Sequence, residues 1–211
     1  MDELDVLKKD WKKQDAKFPK LSYDEIYKII HKKSSSIVKW ILIICIAELL
    51  FWSFLNFLMP ERYFEIYDKF HLKTFLYVTQ ALHYIVVLVF IYLFYKNYIA
   101  ISVIESTNKL MQKIIKTRKT VNYYVYYNII LYVLLSIIVN IIMFSNPELM
   151  VETLNPKNNR IDEDQFLTIM LITQVVSVFI VIGLLWGYYK IIYGILLKRL
   201  SKNYKELKTL S

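Results

Sequence analysis

Four apolar runs, each about 20 residues long, constrain this chain more than any other feature: residues 40–59, 75–95, 123–144 and 166–189. At about 1.5 Å of rise per residue, each is long enough as a helix to cross roughly 30 Å of hydrocarbon. Nearly all the charges lie between the runs, whereas a water-soluble domain would scatter them along every element. The expected fold is all-α: a polytopic membrane protein with four transmembrane helices.

Charge gives an orientation. Residues 1–39 hold ten Lys and Arg, 96–119 hold six and 190–208 hold six, against three in 60–74 and two in 145–165. Short loops rich in Lys and Arg stay cytoplasmic, so both termini and the middle connection are expected inside. The second outer loop is acidic instead, with Glu148, Glu152, Asp162, Glu163 and Asp164 against Lys157 and Arg160. The expected location is a bacterial inner membrane, crossed several times. The first 20 residues are too charged for a secretory signal peptide. Cys45 is the single cysteine, which excludes an intramolecular disulfide and any multi-cysteine zinc site, and it reads as a small packing residue.

The two halves of the chain look like copies of one hairpin. Lys28-Ile29-Ile30 corresponds to Lys113-Ile114-Ile115, Asn56 and Met59 to Asn140 and Met143, and Pro60-Glu61 to Pro147-Glu148. Thr74, Thr79-Gln80 and Tyr95-Lys96 correspond to Thr168, Thr173-Gln174 and Tyr189-Lys190. The expected organisation is an amphipathic cytoplasmic segment (1–20), a helix leading into the first span (21–39), and two antiparallel hairpins with helical cytoplasmic extensions (40–120 and 121–211).

The cytoplasmic segments carry helix signals. Ser22-x-x-Glu25 is a capping box flanked by Leu21 and Ile26, so a helix is expected from about Tyr23, with Ser34-Ser35-Ser36 as a point where it can break. Ile101, Ile104, Leu110 and Ile114, and later Ile195, Leu197, Leu200 and Tyr204, recur at helical spacing. Ahead of them Leu4, Leu7 and Trp11 share one face of a short helix otherwise covered by Lys and Asp. That face fits either the inner membrane surface or a groove on a cytoplasmic protein. The basic rim is expected to attract anionic headgroups at the cytoplasmic face. Nucleic acid is not an expected partner, since no binding fold accompanies the charge.

Inside the runs, Glu48 stands at the centre of the first span, where an unpaired carboxylate costs several kcal/mol. His83 lies at a similar depth in the second span, so a Glu48–His83 pair is one expectation, with Gln80 and Gln174 completing an intramembrane polar site. All three glycines, Gly183, Gly187 and Gly194, fall on one face of the last helix, and the first two form a GxxxG pair. A close helix contact is expected there, within the chain or between two copies as a homodimer.

Catalytic signatures are missing from the sequence: the three histidines form no metal-ligand spacing, and no phosphate loop or nucleophile elbow occurs. No cofactor, metal or catalytic residue is expected. With its lysine-rich start, the stretch from Lys8 to Lys13 around Trp11, and Ser34-Ser35-Ser36 ahead of the first span, the chain resembles uncharacterised four-helix inner-membrane proteins of bacteria. That resemblance implies architecture and no activity. The functional expectation is a non-enzymatic membrane scaffold or regulator that recruits a cytoplasmic partner through its amino-terminal segment. The alternative is a small transporter or channel using Glu48 and His83.

Overall fold

The computed structural model describes residues 22–104, 106–154 and 162–210. Leu4, Leu7, Trp11 and Leu21 lie outside them. Among the described residues six helices follow one another: α1 (Tyr23–Phe57), α2 (Glu61–Lys69), α3 (Lys73–Ser102), α4 (Thr107–Phe144), α5 (Pro147–Leu154) and α6 (Glu163–Leu210). Four of them, α1, α3, α4 and α6, are long and apolar enough to cross a membrane.

Local sequence explains the helix ends. The Ser22 hydroxyl accepts a hydrogen bond from the Glu25 backbone N–H at 3.3 Å, and the Glu25 carboxylate accepts one from the Ser22 backbone N–H at 2.8 Å. This capping box satisfies two donors that helix geometry would leave open. Helix α1 then runs through Ser34-Ser35-Ser36 without a break. Ser34 is fully buried there and accepts a hydrogen bond from Asn203 Nδ2 at 3.0 Å, a cross-helix bond that offsets the poor helix propensity of serine. At the other end of the span, α2 stops on His71, whose φ of 56° is left-handed. His71 and Leu72 donate their backbone N–H groups to the carbonyls of Asp68 and Tyr67, and Leu72 is buried, as a Schellman ending requires.

The turn from α3 to α4 is tied to α1 by a ladder of side chains one turn apart. Tyr23 shares a hydrogen bond with Thr107 Oγ1 at 2.8 Å, Tyr27 donates to the Ile104 carbonyl at 2.9 Å, and His31 Nε2 donates to the Ile101 carbonyl at 2.6 Å. Residues four apart share a helix face, so three consecutive rungs meet one partner strand of chain.

Helix α1 packs against α3 and α6, and α4 packs against the same two, closing a ring of four. The ring is filled unevenly. On the side where α1 begins and α6 ends, here the terminal side, Ile30, Val38, Ile41, Phe94, Ile101, Leu110, Ile114, Val121, Leu200 and Leu207 form a continuous buried core. On the opposite, loop side, Phe70, Leu72, Met143 and Met150 form a small separate cluster. Between the two, residues 49–59 of the α1 end, 73–86 of α3, 125–142 of α4 and 167–188 of α6 include no fully buried position.

Among the described residues nothing fills the space over the glycine face. A methyl group added at Gly183 or Gly187 would meet no atom within 4 Å, and at Gly194 it would meet only Lys190 Cγ at 3.9 Å. Of the spaced apolar positions on α6, Leu200 is buried as expected, while Ile195 is half-exposed and Tyr193 and Leu207 take the core places.

Candidate functional site

Glu48 is buried at the boundary between the tight core and the loosely packed zone. Both its carboxylate oxygens are occupied. The Tyr124 hydroxyl donates to Oε2 at 2.5 Å and the Tyr188 hydroxyl donates to Oε1 at 2.7 Å. Tyr193 is buried in the same cluster, and its hydroxyl makes no hydrogen bond with any described residue. Rings of Tyr124, Tyr189 and Tyr193 pack against one another with centroids 5.8–6.3 Å apart, and Phe90 and Phe94 set their edges or faces on Tyr124. One acid from α1 therefore joins α4 and α6 by two hydrogen bonds.

His83 takes a different partner from the one its depth suggested. Its Nδ1 lies 3.3 Å from the Tyr127 hydroxyl, and the two rings stack with centroids 5.8 Å apart. Glu48 and His83 thus belong to neighbouring but separate groups. Gln80 is half-buried on the same helix as His83, whereas the Gln174 side-chain oxygen is buried without a hydrogen-bond partner.

The zone without buried residues encloses a partly open crevice of about 880 Å3, within the size range of small-molecule sites. Its walls are mostly aromatic and aliphatic: Trp52 and Phe57 from α1, Tyr77 from α3, Leu131 and Leu135 from α4, Val181 and Leu185 from α6. Tyr189 closes the terminal-side end, and His83, Gln80 and Asn128 supply polar groups nearby. Asn128 already donates to the Tyr124 carbonyl at 2.8 Å, which leaves its side-chain oxygen to accept. At the loop side α2 lies along the mouth, contributing Tyr63, Phe64 and Tyr67. Burial and the adjacent Tyr63 push the Tyr67 hydroxyl well above the usual tyrosine range, so it stays a neutral donor. Lys73 also lines this end, 3.8 Å from Asp68 in an exposed ion pair.

Sequence reasoning found Glu48, His83 and Gln80 but not Tyr124, Tyr188, Tyr127 or Asn128. The available signal was the density of tyrosine around the start of the third run and the end of the fourth, from Tyr123 to Tyr127 and at Tyr188, Tyr189 and Tyr193. No group of three or more His, Cys, Asp or Glu among the described residues could hold a metal ion.

A family model described as "Domain of unknown function (DUF8845)" matches residues 24–211, and the chain belongs to that family. No curated protein and no solved structure matches the chain.

Proposed function

We propose that this family member is a non-enzymatic membrane protein that takes an amphiphilic molecule from the bilayer into the crevice between its four long helices. The observation that carries the reading is the crevice itself, an 880 Å3 space with mostly aromatic and aliphatic walls and a few polar groups. Apolar walls with a few placed polar groups are the usual form of a small-molecule site. Lys73 and the Tyr67 hydroxyl suit a polar head at the loop side, and the walls around Tyr77, Leu135 and Val181 suit its chain. Gln80 and His83 would meet any polar group carried further in. The orientation follows from the charge asymmetry of the sequence, which sets both termini in the cytoplasm and the mouth at the outer leaflet.

The experiment is extraction and mass spectrometry of amphiphiles held by the purified chain, comparing the natural protein with Leu135→Trp, which fills the crevice. A molecule retained near one per chain by the natural protein and lost from the variant is expected. Equal retention by both would contradict the reading.

As a transport site, Glu48 is poorly placed, because both its oxygens are engaged by hydroxyls from two other helices. We read it as a pin that fixes α1 against α4 and α6. Recruitment of a cytoplasmic partner is a second reading, favoured by the continuous buried core of the terminal-side bundle, to which residues 1–20 lead in the sequence. Loss of a co-purifying soluble protein on deleting residues 1–20 is the result that reading expects. An internal duplication and a homodimer at Gly183 and Gly187 belong to the same proposal. The first is suggested by short helices that open on Pro-Glu in both loop-side connections, the second by the unfilled glycine face.

A further inference from the structure

A second recess, of about 380 Å3 and more open to the surface than the crevice, lies between α1 and α3 on the terminal side. Its chemistry is unlike that of the crevice. His31, Lys32, Ser35, Ser36 and Lys39 of α1 and Tyr98 of α3 line it. These supply two ammonium groups, an imidazole and three hydroxyls, with no carboxylate among them. Among the described residues no acid lines it. On α1 the acids toward the amino terminus are Asp24 and Glu25, at least six residues or about 9 Å along the axis from His31, with Glu25 engaged by Ser22, and on α6 Glu206 pairs with Lys202 at 3.8 Å. Glu48 points its oxygens at Tyr124 and Tyr188 inside the bundle, and α4 carries no acidic residue at all. His31 is held in place by its Nε2 bond to the Ile101 carbonyl, with its ring 5.9 Å from that of Tyr27.

The cavity's depth narrows the ligand. The first apolar run begins at residue 40 and the second ends at residue 95, so the lining residues sit one to nine positions beyond the hydrocarbon edge. At 1.5 Å per residue, Ser35, Ser36 and Lys39 fall within the headgroup layer of roughly 5–8 Å, and Lys32 and His31 fall just past it. Immediately on the membrane side, Trp40, Ile43, Tyr92 and Tyr95 expose apolar surface on the same two helices. A free phosphate would use the cations and hydroxyls alone. A lipid would use both surfaces.

We propose that this cavity binds the phosphate headgroup of an anionic membrane lipid, whose acyl chains run along the exposed apolar faces of α1 and α3. Lysines supply the charge as compact donors, and the serine and tyrosine hydroxyls donate to the remaining phosphate oxygens. The site is independent of the crevice, so either can fail without the other.

The test is a titration of the full chain in a neutral detergent with phosphatidylglycerol, read by native mass spectrometry. The natural chain should bind one such lipid saturably and prefer it to phosphatidylcholine. Lys32→Gln with Lys39→Gln should weaken binding roughly thirtyfold, since each lysine near a membrane surface is worth about 1 kcal/mol. Lys198→Gln with Lys205→Gln removes the same charge elsewhere and should leave binding unchanged. Tyr98→Phe, which keeps every charge, should weaken it several-fold. Equal losses in the two lysine pairs would overturn the proposal in favour of diffuse attraction. Equal binding of phosphatidylcholine would also overturn it, and displacement of the lipid by excess inorganic phosphate would overturn the lipid assignment.

Discussion

Glu48 shows how one residue can be legible in part. An acid inside an apolar run demands partners, and that much follows from the cost of leaving a charge unpaired in hydrocarbon. Which partners it finds depends on helix stagger. Depth counted from the ends of the apolar runs pointed to His83, yet the hydrogen bonds come from Tyr124, at the start of the third run, and Tyr188, at the end of the fourth. Tyrosine is apolar enough to extend a run and polar enough to leave it, so run ends do not mark equal depths. Replacing Glu48 by Ala strands the buried Tyr124 hydroxyl and removes the acceptor of the partly exposed Tyr188, and should cost about 1–3 kcal/mol. Glu48→Gln keeps one carbonyl acceptor and should cost about 1 kcal/mol. Denaturation in mixed micelles checks both, and a Glu48→Ala protein as stable as the natural one would remove the pin. Ser22 and Glu25 make a pH prediction. The Ser22 backbone N–H and hydroxyl hold the Glu25 carboxyl below its ordinary value, so the anion is the form the fold favours. Its stabilisation is complete above the ordinary carboxylate range and is lost as pH falls through the lowered value. Amide exchange at Tyr23–Ile26 should therefore accelerate on acidification, and Ser22→Ala, at a cost of about 1 kcal/mol, should flatten that dependence.

Elements were the most legible scale. A run of 20 apolar residues has few alternatives to a helix in a membrane, because every backbone polar group must be satisfied within it. The capping box set the start of α1 to the residue. The serine run was harder to judge, because a local propensity cannot announce that Asn203, in another helix, will bond Ser34. The three glycines of α6 were the opposite case. Their spacing was clear, but spacing defines a face and says nothing of what covers it. Since an added methyl meets no atom at Gly187, Gly187→Ala should not disturb the chain and should stabilise α6 by about 0.5–1 kcal/mol through helix propensity. Thermal unfolding of the monomeric protein reads this. A loss of stability that grows with protein concentration would show instead that the face packs against a second copy.

At the scale of the molecule, the packing gradient matters most. The terminal side buries residues from α1, α3, α4 and α6 in one core, while the long helices separate toward the loop side around the crevice. Helices gain no hydrophobic driving force by meeting in lipid, so the span interior stays open where few cross-helix polar bonds draw it shut. Nothing in the periodicity of four nearly all-apolar runs distinguishes a wall of this crevice from a surface facing lipid. That is why the sequence indicated a polar site but not the space beside it. Tyr77, Leu135 and Val181 read as ordinary span residues until the other helices are placed around them.

The most direct measurement is photo-cross-linking in bilayers with a lipid carrying a diazirine in its acyl chain, followed by mass-spectrometric mapping of the labelled residues. Occupation of the crevice predicts labels concentrated on lining residues such as Tyr77, Leu131 and Leu135, and reduced by Leu135→Trp. Labels spread evenly over Ile137, Phe179 and Leu184, which are exposed on the outside of the bundle, with the crevice walls no richer, would contradict it.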